Sequence, residues 1–134
     1  MTIHEDHIDL DTPSGPMRTH RYWPTAAGRY PGIVFFSEIF QLTGPIARMA
    51  RFYAGHGYAV AVPEIFHEFE PLGTVLAYDK AGTDRGNECK IAKPIPAYDD
   101  DARAVIRHLQ TWPTCSGTVG VLYQRFRYRD RLLR

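Results

Sequence analysis

The chain has 134 residues, 44% of them apolar and 23% charged, which is the composition of one globular domain with its own hydrophobic core. No apolar run approaches the roughly 18 residues that a membrane-spanning helix needs. Two cysteines without a secretory leader do not predict a disulfide framework, so we expect a cytoplasmic protein.

The net charge of +1 is divided unevenly along the chain. Residues 123–134 contain five arginines and one aspartate, a net +4, so the preceding 122 residues carry −3. A mildly acidic body joined to a basic tail is a break in composition. We therefore expect a folded domain over 1–122 and an atypical arginine-rich tail over 123–134.

The first half of the chain alternates between strand and helix patterns. Residues 3–10 and 17–23 read as short strands of an antiparallel pair at a sheet edge, and the apolar run 32–36 is typical of a strand covered on both faces. Residues 45–55 change to the helical period, with apolar positions at Ile46, Met49, Ala50 and Tyr53. Residues 58–62 predict a second buried strand, which ends at Pro63.

The second half is less regular. Residues 64–96 are rich in proline and glycine, with a possible short helix around 73–80, and residues 97–110 form the clearest helical pattern. Residues 117–122 predict a third buried strand. The order of elements predicts an α/β fold, with a mostly parallel sheet, an antiparallel N-terminal edge and helices on both faces.

Three aspartates open the predicted helix 97–110. Asp99, Asp100 and Asp101 fall in its first turn, where the helix dipole favours negative charge, and Asp99 is spaced to pair with Arg103. A metal or catalytic interpretation competes with this one. We favour the structural interpretation, because helix N-termini favour carboxylates.

A polar segment follows the first buried strand. Ser37, Glu38, Ile39 and Phe40 lie between that strand and a helix, and ligands in open α/β sheets bind just beyond the carboxyl ends of the strands. In hydrolases of this architecture, the loop in this place supplies one N–H of the oxyanion hole. From position alone, Glu38 is equally a site residue or an ordinary loop carboxylate.

Several segments resemble the dienelactone hydrolase family. Residues 30–42 read YPGIVFFSEIFQL and are similar to the family's apolar strand ending in EIFG, with Gln41 where the family often has glycine. The helix and strand IARMARFYAGHGY (46–58) and AVAVPEIF (59–66), and the helix DDARAVIRHL (100–109), follow in the family's order. The resemblance covers roughly residues 25–122.

The resemblance implies an α/β-hydrolase fold, here incomplete, and a Cys-His-Asp triad that acts on esters or lactones without a cofactor or metal. Glu38 matches the glutamate that contacts the nucleophilic thiol, and Ile39 matches the residue whose N–H contributes to the oxyanion hole. The family also uses arginines to hold a substrate carboxylate. No motif aligns Arg85 with them, so that role is not transferred.

The nucleophile itself is missing from its expected place. The family has a nucleophile elbow, GxCxGG, directly after the strand that here ends at Leu122, and glycines are needed because that turn is strained. This chain continues YQRFRYRDR, and no cysteine, serine, glycine or histidine follows Leu122. We therefore expect this chain to be inactive. A shifted reading frame, or another terminal replacement, would explain the tail, and the coding DNA would test that.

Other reactive side chains have weaker claims to a site. Cys89 lies beside Lys90, which can lower the pKa of a thiol, but an unreactive thiol is the favoured interpretation. We expect Cys115 to pack in the core or to form part of a turn, and His56 to lie on the surface. Ser37 is an unlikely nucleophile, because it lacks the glycines of a nucleophile elbow. The remaining candidates have metal-capable side chains that match no zinc template: Glu64, His67, Glu68 and Glu70.

The alternative function is a non-enzymatic α/β module. Arginines and aromatic residues interleave in the tail, which suits nucleic acid, although a single such segment on a non-basic body is weak support. Half of an α/β-hydrolase sheet would also leave its last strand unpaired, and an unpaired edge favours self-association. The main expectation is a small ester or lactone ligand, with no membrane partner.

Overall fold

The structure, a computed structural model, describes residues 1–123. The arginine-rich tail, apart from Tyr123, lies outside the described residues, so the expectations for it stay predictions. Within the described range, no helix combines the length and the apolar character that crossing a bilayer requires.

One five-stranded mixed sheet organises the molecule. Its strands are β1 (Ile3–Thr12), β2 (Gly15–Pro24), β3 (Tyr30–Phe36), β4 (Ala59–Pro63) and β5 (Cys115–Tyr123), in the spatial order β1-β2-β4-β3-β5. β4, β3 and β5 run parallel, whereas β1 and β2 pair antiparallel and β2 joins β4 antiparallel. The predicted sheet, with its parallel core and antiparallel N-terminal edge, is confirmed.

Helices cover both faces of the sheet, as expected. They are α1 (Gly44–Gly55), α2 (Lys80–Ala92) and α3 (Ile95–Thr111). α1 buries Ile46, Ala50 and Ala54 against one face, where alternate side chains of β3 and β4 meet it. α3 buries Val105 and Leu109 against the other face. The residues of β3 and β4 that alternate between these two cores explain why both strands read as continuous apolar runs.

The prediction of a possible short helix around residues 73–80 is wrong. No helix forms around 73–80, and α2 occupies residues 80–92 instead. Its buried positions are Gly82, Gly86 and Cys89, so its inner face carries no large apolar side chain and the usual periodicity is absent. The missed signal is Asp79, whose side chain accepts a hydrogen bond from the Gly82 N–H at 2.7 Å and so begins the helix.

The three aspartates are also placed differently from the prediction. α3 begins at Ile95, two residues earlier than expected, so no acidic residue lies in its first turn. The dipole argument therefore does not apply to Asp99–Asp101. Arg103 pairs with Asp100 at 3.4 Å rather than with Asp99, and Asp101 is fully buried.

A smaller correction concerns α1. Met49, predicted on its inner face, is 42% exposed, because the helix buries the stripe of Ile46, Ala47, Ala50 and Ala54 instead. The early element boundaries shift by only a few residues. The strand predicted over 117–122 forms as β5, but it is not buried as expected: most of its residues are exposed, because within residues 1–123 it pairs only with β3.

Candidate active site

The segment that carries Glu38 lies at the carboxyl ends of the parallel strands. Residues 37–43 follow β3 directly and lead into α1, and residues 64–70 follow the neighbouring parallel strand β4. Because parallel strands end at the same edge of a sheet, the two loops lie side by side. We call residues 37–43 the β3 loop.

A tight turn shapes the β3 loop. The Gln41 N–H donates to the Glu38 carbonyl at 3.1 Å, and the Thr43 N–H donates to the Gln41 carbonyl at 2.9 Å. Gln41 has φ of +67°, the left-handed region that costs a non-glycine residue about 1–2 kcal/mol. Glycine would satisfy this backbone more easily, which is consistent with the residue that the family often has there.

The Gln41 side chain offsets that strain by joining three segments. Its amide oxygen accepts from the Phe66 N–H at 3.1 Å, and its amide nitrogen donates to the Thr74 carbonyl at 3.0 Å. The residue is 1% exposed. Buried hydrogen bonds of this kind contribute on the order of 1 kcal/mol each. The β3 loop is therefore fixed to the segment that follows β4, so Gln41 affects more than the flexibility of the loop.

α2 holds the loop from another side through Gly86. A Cβ atom built at Gly86 would lie 2.8 Å from the Ile39 carbonyl oxygen and 2.9 Å from the Ile39 Cβ. Only glycine allows this approach between the helix and the loop backbone. The buried glycine of α2 thus defines where the Ile39 peptide lies.

Ile39 presents a buried donor. The residue has no exposed surface, and within residues 1–123 its N–H has no hydrogen-bond acceptor. Buried backbone N–H groups are almost always paired. A donor held without an acceptor at the end of a parallel strand is suited to stabilise a developing negative oxygen. Glu38, the preceding residue, is partly exposed at the same edge.

Ser37 and the two cysteines are poorly placed to act as nucleophiles. The Ser37 hydroxyl is buried and donates to the Glu38 carbonyl at 3.2 Å. Cys89 is 1% exposed, and burial raises the pKa of its thiol, an effect that the nearby Arg85 only partly offsets. Cys115 is fully buried against Gly32 of β3. His56 is exposed at the end of α1, as expected.

Arg85 is held in ion pairs. Its Nε contacts the Glu70 carboxylate, its Nη1 donates to Glu88 Oε1 at 2.6 Å, and its Nη2 donates to the Phe69 carbonyl at 3.1 Å. All three nitrogens of the guanidinium therefore have partners within the chain.

The metal-capable side chains separate into three groups. Glu64 binds His20 at 2.6 Å and the Gly73 N–H at 2.6 Å, and Glu70 binds Arg85. Only His67 and Glu68 come together, and they do so with Asp101, which the sequence analysis had not connected with them.

The Lys93 ammonium lies where a metal ion would contact the group of His67, Glu68 and Asp101. The ligand atoms of His67, Glu68 and Asp101 lie within 4.8 Å of one another. Lys93 Nζ contacts the Asp101 carboxylate and donates to Glu68 Oε1 at 2.9 Å. Because the ammonium contacts both carboxylates, this group is accounted for as a buried ion-pair cluster that fixes the loop after β4 to α3. We call it the Lys93 cluster.

A short segment covers the β3 loop from outside. In residues 71–79, which we call the strap, the Leu76 N–H donates to the Phe40 carbonyl at 3.1 Å, and the Tyr78 hydroxyl donates to Thr43 Oγ1 at 2.7 Å. The rings of Tyr78 and Phe40 lie 4.7 Å apart. Val75 and Tyr78 remain 52% and 55% exposed.

Comparisons with known proteins bear on the family and on the fold of this chain. The model of the dienelactone hydrolase family matches residues 17–122. A provisionally named carboxymethylenebutenolidase of Saccharomyces cerevisiae is 43% identical over 107 residues, which are 75% of this chain and 38% of that protein.

Two solved structures show the same fold. A dienelactone hydrolase-like promiscuous phosphotriesterase from metagenomic libraries superposes with a TM-score of 0.72 at 20% identity, over 98% of this chain and 54% of that one. A dienelactone hydrolase-type protein of Klebsiella pneumoniae gives 0.75 at 18% identity, over 92% and 50%. The chain thus spans about half the length of these structures and less of the yeast protein.

Proposed function

Since this chain belongs to the dienelactone hydrolase family, we propose that residues 1–122 form the electrophile-binding part of an ester or lactone hydrolase domain. The observation that carries the proposal is the Ile39 N–H, buried and without an acceptor within residues 1–123. A substrate carbonyl oxygen would accept this hydrogen bond, which strengthens as the oxygen becomes negative in the transition state.

Glu38 has a separate role in this proposal. It would contact the nucleophilic thiol in a complete member of the family, where a cysteine activated by histidine and aspartate attacks the carbonyl and water then releases the acyl group. These 134 residues hold no cysteine, serine or histidine after β5. We therefore propose that this chain binds the electrophile but does not turn it over.

An esterase assay tests the second part of the proposal. The 134-residue chain is expected to give no hydrolysis of p-nitrophenyl esters above the rate in buffer. The matched control is the double variant Cys89→Ala/Cys115→Ala, which removes both thiols. Hydrolysis that persists in the double variant would show that a different nucleophile exists and would contradict the assignment.

The coding DNA tests the origin of the tail. We propose that residues 123–134 replace the family's nucleophile segment through a shifted frame. The other two frames downstream of codon 122 should then encode a glycine-flanked cysteine or serine. A protein carrying that segment in place of residues 123–134 should show more ester hydrolysis than the present chain. If neither frame encodes such a residue, the frameshift explanation fails.

A second candidate is self-association through β5. Within residues 1–123 this strand pairs only with β3, and Val121 and Tyr123 are 44% and 40% exposed. An unpaired edge with apolar side chains favours pairing with another strand. Size-exclusion chromatography at low and high salt should then show an oligomer that does not respond to salt, and a monomer in both would exclude this function. Nucleic-acid binding by the tail and a cytoplasmic location stay predictions.

A further inference from the structure

Two imidazoles face each other on the hairpin of β1 and β2, at the edge of the sheet opposite β5. His7 of β1 and His20 of β2 are directly opposite in the antiparallel register, so their side chains project from the same face. Their ring centroids lie 5.7 Å apart. Two imidazoles that bind one tetrahedral zinc ion have ring centres roughly 5 Å apart, because each Zn–N bond is about 2.0–2.1 Å. The pair therefore needs only a small movement to bind a common ion.

A buried carboxylate fixes the orientation of His20. Its Nε2 lies 2.6 Å from Oε2 of Glu64, whose side chain is 4% exposed. A carboxylate oxygen accepts a hydrogen bond but does not donate one, so Nε2 carries the proton and Nδ1 of the neutral ring keeps its lone pair. Within residues 1–123, Nδ1 of His20 has no hydrogen-bond partner. Histidines that bind metal ions typically have this arrangement, in which the other ring nitrogen donates to a carboxylate.

The surroundings of the pair favour a cation. The nearest arginine, Arg18, donates to both oxygens of Asp9, at 3.0 and 3.3 Å, so these two charges balance each other. Glu64 has no lysine or arginine partner in the described part of the chain, and its charge is therefore not balanced there. His7 is exposed, and neither of its ring nitrogens has a hydrogen-bond partner among residues 1–123. The two rings thus offer free nitrogens beside a net negative charge.

From this geometry we propose that His7 and His20 form a binding site for a divalent transition-metal cation such as Zn²⁺, with water in the remaining coordination positions. Imidazole nitrogen suits Zn²⁺, whereas Mg²⁺ prefers oxygen ligands. Space for a hydrated ion is provided by a surface cavity of about 230 Å³, which is lined by Glu5, Asp6, His7, His20 and Tyr22. The site lies outside the β3 loop, and the proposal does not depend on the proposed function.

Glu64 connects this metal site to the strap. The Gly73 N–H, which belongs to the strap, donates to Glu64 Oε1 at 2.6 Å, while Glu64 Oε2 holds His20. A metal ion on Nδ1 withdraws electrons from the imidazole, so the Nε2–H becomes a stronger donor to Glu64. Binding of the ion should therefore be felt at the Gly73 amide, in the segment that covers the β3 loop.

Titration with two metal ions tests the proposal. Zn²⁺ is added to the full 134-residue chain while NMR follows the histidine ring signals and the Gly73 amide. We expect the rings of His7 and His20 and the Gly73 amide to shift together, with one Kd. Mg²⁺ at the same concentrations should shift none of them, because it binds carboxylates but not imidazoles. Equal shifts with Mg²⁺ would show a general attraction of cations to the acidic hairpin and would overturn the proposal.

Single substitutions identify the ligands. His7→Ala removes an exposed ring, so the fold should persist, and the Kd for Zn²⁺ should rise at least about tenfold. Glu64→Gln should also raise the Kd about 10–100-fold, the loss typical when the partner of a metal-binding histidine is replaced. His4→Ala is the matched control, because His4 is exposed on the same strand but projects from the other face. Its Kd should equal that of the unsubstituted chain.

The possible outcomes are distinct. The same Kd in His7→Ala as in His4→Ala would overturn the proposal. Shifts confined to the ring of His67 would place the ion in the Lys93 cluster and would overturn it equally. If the rings of His7 and His20 shift while the Gly73 amide does not, the metal site stands and its link to the strap is refuted.

Discussion

Replacing Gly86 by alanine tests the contact between α2 and the β3 loop most directly. In a helix interior this substitution ordinarily stabilises a protein by about 1 kcal/mol, because alanine has the better helix propensity. At Gly86 the added methyl would lie 2.8 Å from the Ile39 carbonyl oxygen and 2.9 Å from the Ile39 Cβ. Both distances are too short for carbon, so the helix or the loop must move.

The expected magnitude follows from two opposing effects. Overpacking a close contact costs about 1–3 kcal/mol, and the gain in propensity offsets about 1 kcal/mol of that. We therefore expect Gly86→Ala to lower the free energy of unfolding by about 1 kcal/mol. Gly55→Ala in the last turn of α1 is the matched control, because its Cβ would meet only the Met1 carbonyl oxygen, at an ordinary 3.7 Å. It should be neutral or stabilising.

Urea unfolding followed by tryptophan fluorescence measures both variants. Trp23 and Trp112 pack with ring centroids 5.2 Å apart, one on β2 and the other just after α3, so their emission reports on the assembled fold. The Ile39 amide should also shift in the NMR spectrum of Gly86→Ala and stay in place in Gly55→Ala. If Gly86→Ala is as stable as Gly55→Ala, with Ile39 unmoved, the proposed packing of helix on loop is refuted.

Three further predictions follow from side-chain contacts. Gln41→Gly should relieve the strain of the positive φ but lose two buried hydrogen bonds, so we expect the free energy of unfolding to fall by about 1 kcal/mol. Hydrogen exchange at the Phe66 amide should become faster, and unchanged exchange would contradict the bridging role of Gln41. Lys93→Met should cost about 3–5 kcal/mol, because it leaves the buried Asp101 carboxylate and the partly exposed Glu68 carboxylate without their cation. In a double-mutant cycle, Lys93→Met/Asp101→Leu should recover part of that loss, and additive losses would show that the pair does not interact. Burial, together with the nearby Arg21, lowers the pKa of His108 from its usual 6.5, so the folded state binds this proton less readily than the unfolded chain. The free energy of unfolding should therefore fall as the pH decreases below about 6.5. His108→Gln should flatten that part of a plot of urea midpoint against pH, and an unaltered plot would show that other groups cause the pH dependence.

Elements with a strong apolar period could be predicted from the sequence, and elements without one could not. β3 and β4 read correctly because both of their faces are buried, and α3 read correctly except for its first turn. α2 escaped detection because two glycines stand where large apolar residues would otherwise mark its inner face: Gly82, which lies close to Ala77, and Gly86, which lies close to Ile39.

The candidate site, too, could be predicted from the sequence only in part. The position of Glu38 after a buried strand was visible, because the location of a loop follows from the strand that precedes it. The Lys93 cluster was not visible, since His67 and Asp101 are 34 residues apart and meet only when the loop after β4 packs on α3. The bridge from Gln41 to Phe66 and Thr74 is equally non-local.

The contacts that shape the β3 loop have a consequence for how the polypeptide is assembled. The tethers from Gln41, from the strap and from Gly86 all come from residues 66–86, and every one of them is synthesised before β5. A chain that leaves the ribosome amino end first can therefore form all of these tethers before β5 has been translated. Whatever sequence is translated afterwards meets a β3 loop whose tethers have already been synthesised, so a change in that later sequence removes none of them.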